Sequence, residues 1–260
     1  MENALEKVIE VRNVKKVFYL PGKQEIVIAL NLNLTIYRGE LVAIVGKTGC
    51  GKSTFFNMLL GLEPPTEGQI LVEGMDPYRE FASLRAKIGA IFQTDRLLPW
   101  RSALGNAMLG LEIIEKSKKV QREIALEWLR KLGLAGFENA YPYQLSGGMR
   151  QRVGIARAFA VNPHILLADE AFGHLDQVTA TQLREIFLDL VKETKTTCLV
   201  VTHNITEALE IGRRIVVLGK PAQVLLDERI PQFSSPRERE MYEKRIISII
   251  GENQDSGLCR

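Results

Sequence analysis

Two short segments hold the residues whose types and spacing could do chemistry. GKTGCGKST, residues 46–54, has the pattern G-x-x-x-x-G-K-[ST]. Its glycines let backbone N–H groups curl around phosphate oxygens. Gly46, Lys47, Thr48, Gly49, Cys50, Gly51, Lys52, Ser53 and Thr54 are therefore a candidate phosphate cradle. Lys52 is placed to reach the outer phosphates, and the Ser53 hydroxyl to bind Mg²⁺. The second segment, LLADEAFGHLD at residues 166–176, ends an apolar run in two adjacent carboxylates, Asp169 and Glu170. Burying an unpaired carboxylate is costly. Asp169 would escape that cost if it faced the Mg²⁺ held by Ser53. Glu170, one residue further, can polarise an attacking water as general base.

Those groups need elements to hold them. Five short apolar runs, ELVAIVG (40–46), KIGAIFQ (87–93), HILLADE (164–170), TCLVVTH (197–203) and RIVVLG (214–219), suit parallel strands covered on both faces. Helical segments separate several of them, which is the βαβ pattern of an open α/β sheet. Four runs end in Gly46, Gln93, Asp169–Glu170 and His203. Ligands of such sheets bind beyond the carboxyl ends of the strands. Residues 26–36, IVIALNLNLTI, alternate instead: Ile26, Ile28, Leu30, Leu32, Leu34 and Ile36 predict a strand with one buried face. QILVE (69–73) reads as a second strand of that antiparallel sheet. Ser117 to Leu132 predicts an amphipathic helix with Val120, Ile124, Trp128 and Leu132 on one face, Ala125 and Leu129 beside them, and Gly133 as its stop. The long crossover around it suggests an inserted helical subdomain, roughly residues 94–160. Near the end, Ser235, Pro236 and Glu238 form a capping box with a helix-starting proline, and Gly251 closes that helix.

The totals exclude some classes. With 260 residues, 46% hydrophobic and 25% charged, the chain fits one large α/β domain or a core with a small insertion. A net charge of +3, dispersed, argues against nucleic acid as the main partner. Cys50, Cys198 and Cys259 lie far apart with no metal-ligand spacing, which favours a reducing compartment. MENALEKVIEVRN lacks the apolar core of a secretory leader, and no run approaches the ~20 apolar residues of a membrane span. A membrane role is expected only through a partner.

YQLSGGMRQRVGIARA, residues 143–158, adds a third segment, in which SGG reads as the cap of a helix through MRQRVGIARAFA. With the phosphate loop and ILLADE it resembles the nucleotide-binding subunits of ABC transporters, from about residue 8 to about residue 225. The resemblance implies a P-loop NTPase (RecA-like) α/β core with an N-terminal antiparallel β subdomain and an inserted α-helical subdomain. It sets residues 1–225 as the ATP-binding domain and 226–260 as a helical tail. It implies ATP and Mg²⁺ as cofactors, and a head-to-tail dimer, with itself or a homologous subunit, that sandwiches two ATP molecules. Ser146, Gly147 and Gly148 would bind the γ-phosphate on the opposing subunit. Gln93 resembles the Q-loop glutamine, at Mg²⁺ or water; His203 the switch histidine, at the γ-phosphate; Asp176 the D-loop residue, across the dimer. Asp169 is the matching magnesium acid and Glu170 the matching base. Phe18 or Tyr19 would stack on adenine. Ala171 stands where many relatives have proline, and His174 where many have a small residue.

LLPWRSALGNAMLG, residues 97–110, and the tail GKPAQVLLDERIPQFSSPRERE resemble importers of nitrate, sulfonate, taurine and related anions. That implies two integral-membrane permease subunits, a solute-binding protein outside the membrane, and a peripheral position on the cytoplasmic face. Trp100 would line the groove that receives a permease helix. The rival readings are a soluble single-cassette ATPase uncoupled from transport and a regulatory nucleotide-binding module.

Overall fold

A computed structural model describes residues 6–19, 21, 25–114, 117–173 and 175–252. His174 and Cys259 lie outside them. The chain forms two compact units, Met1–Leu84 with Leu199–Arg260, and Arg85–Cys198.

The first unit opens with β1 (Lys7–Tyr19), β2 (Glu25–Tyr37), β3 (Leu41–Gly46), α1 (Lys52–Leu59) and β4 (Glu67–Val72). β1 lies between β2 and β4 and is antiparallel to both. The predicted alternation of β2 holds only in its second half. Leu32, Leu34 and Ile36 are buried, while Ile26 and Leu30 are exposed and Ala29 is buried instead. The cause is local. Asn31 adopts a left-handed φ of 50°, and the pairing shifts register between Val14↔Leu32 and Lys16↔Ala29. A bulge of this kind moves the rest of the strand to the opposite face.

The second unit contains β5 (Ile88–Ile91), α2 (Ala103–Ile113), α3 (Lys118–Lys131), α4 (Gly147–Ala160), β6 (Ile165–Asp169) and α5 (Gln177–Thr194). β5 and β6 pair in parallel. Ser117 caps α3, accepting from the Val120 N–H, and Gly133 follows at φ 70° as expected. The buried face of α3 is Gln121, Ala125, Trp128, Leu129 and Leu132. Val120 is exposed and Ile124 half-buried, so the true stripe is turned from the predicted one. Trp128 sets that orientation by stacking on Phe159 of α4 at 5.2 Å between ring centroids.

β7 (Thr197–Thr202) leads back into the first unit, where α6 (Ile205–Ile211), β8 (Arg214–Leu218), β9 (Val224–Arg229) and α7 (Pro236–Glu252) complete the chain. β3 and β8 are parallel, as their apolar runs suggest, and β9 joins β8 antiparallel. The Ser235 hydroxyl accepts from the Glu238 N–H, but the Glu238 carboxylate accepts from Ser234, one residue before the predicted box. Gly251 does not stop α7, which runs to Glu252. Tyr242 and Ile246 of α7 sit in a core with Ala43, Val45, Ile215 and Val217. Ile246→Val should lower the unfolding free energy by about 1 kcal/mol. Ile247→Val, at a side chain 57% exposed, should leave it unchanged. Denaturant titration of the two variants measures the difference. Among the described residues no helix is long and apolar enough to cross a membrane.

Candidate active site

The sequence-predicted residues divide between the units. The first unit holds Phe18, residues 46–54 and His203; the second holds Gln93, Ser146 to Gly148, Asp169, Glu170 and Asp176.

In the first unit, β3 ends at Gly46 and α1 begins at Lys52, so the loop spans a strand-to-helix turn. Gly51 is the N-cap of α1, at φ 107°, with no side chain bonded to the helix start. A Cβ there would sit 2.8 Å from the Ile28 carbonyl oxygen, so glycine is needed for space as well as for φ. The other α-helices begin on Ser102, Ser117, Ser146, Asp176, Asn204 or Ser235, each accepting from its own first turn. The start of α1 thus presents N–H donors without a built-in acceptor, which fits a phosphate. The Lys52 side chain is buried, and its Nζ donates to the carbonyls of Gly46 at 2.6 Å and Lys47 at 2.9 Å. Thr48, Gly49 and Ser53 are exposed, while Cys50 is buried. His203 is exposed just past β7. It is framed by Asn204, whose N–H donates to the Thr202 hydroxyl at 3.1 Å and whose side chain caps α6. Phe18 is 36% exposed with Lys16 Nζ 4.7 Å from its ring centroid; Tyr19 is 65% exposed.

In the second unit, β6 brings Asp169 and Glu170 out of the apolar run Ile165–Ala168, and both carboxylates are half-buried. Glu170 has a left-handed φ of 45°, and its carbonyl accepts from the Gly173 N–H at 3.2 Å. Its Oε2 accepts from Gln93 Nε2 at 2.8 Å. The fold therefore brings together the two polar strand ends of this unit. Ser146 caps α4, accepting from the Met149 N–H at 3.3 Å. Asp176 caps α5: its Oδ1 accepts from the Thr179 N–H at 3.0 Å, and that bond holds its carboxyl below the usual range. A Cβ on Gly148 would lie 2.9 Å from Thr179 Cγ2, so this glycine also serves the packing of α4 on α5. Among the described residues no cluster of three His, Cys, Asp or Glu side chains could hold a metal alone.

Sequence reading missed the residues that fix the segment after Gln93. Asn106, on α2, is buried with its amide bonded to Leu98 N and to the carbonyls of Leu98, Arg101 and Ser102. Arg150 pairs with Asp95 at 2.9 Å, and Arg157 donates to the carbonyls of Asp95 and Arg96. The available signal was a single asparagine inside the apolar helix ALGNAMLG. Trp100, on this pinned turn, is 71% exposed, so it is not part of the subdomain core.

The ABC transporter family matches residues 29–173, more than half of the chain. The taurine import ATP-binding protein TauB of Escherichia coli is 43% identical over 202 residues, 77% of each chain. The methionine import ATP-binding protein MetN 2 of Enterococcus faecalis is 44% identical over 234 residues, 88% of this chain and 67% of that one. A solved dimeric structure of the ATP-binding cassette MJ0796, in a post-hydrolysis state bound to ADP and Pi, matches with a TM-score of 0.78 at 37% identity. That match covers 86% of this chain and 100% of the other. The antiparallel β sheet, the glycine-rich strand–loop–helix turn and the helix that starts on SGG are thus parts of a P-loop cassette, and the chain belongs to the ABC transporter family as an ATP-hydrolysing cassette that uses ATP and Mg²⁺.

Proposed function

We propose that this chain is the ATPase subunit of an importer, driving uptake of a small solute of the nitrate, sulfonate or taurine kind. It works as a dimer, with itself or a homologous cassette, on the cytoplasmic face of two permease subunits, with a solute-binding protein delivering cargo outside. Within each site Ser53, Gln93 and Asp169 hold Mg²⁺, which neutralises charge on the phosphates. Lys52 and the loop N–H groups of Gly46 to Thr54 grip the phosphates, and Phe18 or Tyr19 carries the adenine. Glu170 takes a proton from the attacking water, and His203 steadies the γ-phosphate. Ser146 to Gly148 of the opposing cassette close over it, with Asp176 at the seam. ATP binds the closed dimer better than the open one, and that difference in affinity drives closure. Hydrolysis removes the bridge.

The observation that carries the transport reading is Trp100. A large aromatic held outward on a turn fixed by a buried amide is the form of an anchor for another protein. The likeness of residues 97–101 to anion importers, and the import role of TauB, support the cargo class. Trp100→Ala is expected to keep the ATPase rate of the isolated chain within about twofold while abolishing its recovery with co-expressed permease subunits. Normal recovery of that variant would remove the support for Trp100 as the contact. Wild-type chain that turns over ATP but binds no permease would favour the soluble ATPase.

A further inference from the structure

Helix α4 does more than present its first N–H groups. Gln151, one turn into it, is buried, although Val153, Gly154, Ile155 and Ala156 around it are apolar or small. Its Nε2 donates to the Ala171 carbonyl at 2.7 Å and reaches the Phe92 carbonyl at 3.5 Å. Ala171 follows Glu170, and Phe92 precedes Gln93. One side-chain amide thus touches the backbone beside both partners of the Gln93–Glu170 hydrogen bond. The turn it holds is strained, because Glu170 has the left-handed φ of 45° that residues with a Cβ rarely adopt. Beside it lies a pocket of about 190 Å³ walled by Gln93, Asp95, Gly147, Arg150 and Ala171, with Gln151 among its lining. A strained turn next to an open space needs an anchor.

We propose that Gln151 is a positioning residue for hydrolysis: its amide fixes the left-handed turn at Glu170 and the end of β5 before Gln93, so the Glu170 carboxylate meets the attacking water in one orientation. This rests on the reading of Glu170 as general base. The chemistry requires an amide. Both acceptors are backbone carbonyls, so the side chain must bring two hydrogens and no charge. A carboxylate at this position would oppose them with lone pairs; once protonated, it could donate to one. The charged groups around it are Asp95 and Arg150, paired with each other at 2.9 Å, and Glu170, bonded to Gln93. The same helix carries the Ser146 cap, so a phosphate gripped at its N-terminus acts on the element that holds Glu170.

Gln151→Ala in the full chain is expected to lower kcat about tenfold, as a reacting group displaced by less than 1 Å does, with KM and ATP affinity within about twofold of wild type. Gln151→Glu, which keeps the size of the side chain, serves if the alanine variant does not fold. Its deficit relative to wild type should shrink from about pH 8 to about pH 6, as the buried carboxyl takes up its proton. Unchanged kcat in Gln151→Ala, a parallel fall in kcat and ATP affinity, or a deficit in Gln151→Glu that is flat with pH would each overturn the proposal. Glu170→Gln, measured alongside, separates the two ideas. If it turns over normally, the general-base reading fails and this proposal with it. If it is inactive while Gln151→Ala is normal, only the role of Gln151 falls.

Discussion

Glu170→Gln is expected to lower steady-state ATP turnover by about 10³-fold, within the range that a positioned general base contributes. The substitution keeps the shape of the side chain and removes its ability to accept a proton. The backbone at Glu170 is held by the Gly173 N–H and by the bond from Gln151 to Ala171, and neither depends on the carboxylate. The variant should therefore fold, and ATP affinity should be unchanged, because the proposed phosphate cradle is the β3–α1 loop, in the other unit. Closure without hydrolysis leaves the closed state populated. Mg-ATP should convert the variant from monomer to dimer in size-exclusion chromatography, where wild-type chain dimerises only transiently. Phosphate release at the wild-type rate would remove Glu170 from the role of base. Turnover lost with no nucleotide-dependent dimer would separate hydrolysis from association and sink the two-cassette reading.

The parts of the fold that sequence made legible are those with one clear period or one dense motif. The apolar runs of β3, β5, β6, β7 and β8 carry no interrupting polar residue; all but β5, where buried and half-buried residues alternate, are buried along most of their length. β1 was illegible because its buried residues, Val8, Ile9, Val11, Val14 and Val17, follow no period. Asn13 at φ 49° and the register shifts on both sides of Val14 break the alternation. β9 is partly exposed along its whole length, so burial left little pattern in its sequence. Helix α2 is apolar on most sides and carries Gly105 and Gly110, which hides its period. The site shows the same division. Lys52, Ser53, Asp169 and Glu170 are legible because the roles proposed for them call for fixed residue types at fixed spacing. Gln151 and Asn106 act on backbone carbonyls, and a carbonyl leaves no mark in sequence. Their trace is one polar side chain on a buried helix face: Gln151 lies in line with Ile155 and Ala158, Asn106 beside Ala103 and Ala107.

Lys52→Ala is expected to weaken ATP binding by roughly 10²-fold, with ADP affected less because it lacks the γ-phosphate. The size follows from what the ammonium does before nucleotide arrives. Its Nζ bonds the carbonyls of Gly46 and Lys47, so binding exchanges those neutral acceptors for phosphate oxygens rather than creating bonds from nothing. The bonds to Gly46 and Lys47 are already charge-assisted through the ammonium, so what nucleotide adds is the attraction of that charge to anionic oxygens, on the order of 2–3 kcal/mol, or roughly 10²-fold. Removing the ammonium has a second effect. The two carbonyls lose their donor inside a loop that already contains Gly49 and Gly51, both at positive φ, and the cradle must then be ordered by the phosphate itself. Lys52→Arg tests which effect dominates. A guanidinium keeps the charge but is too broad for a buried site shaped by two carbonyls, so it should restore little affinity if the loop geometry matters most. Calorimetric titration with ATP and with ADP reads both variants. Equal ATP affinity in Lys52→Ala and wild type would show that the loop N–H groups alone hold the phosphates and that Lys52 serves only to shape the turn.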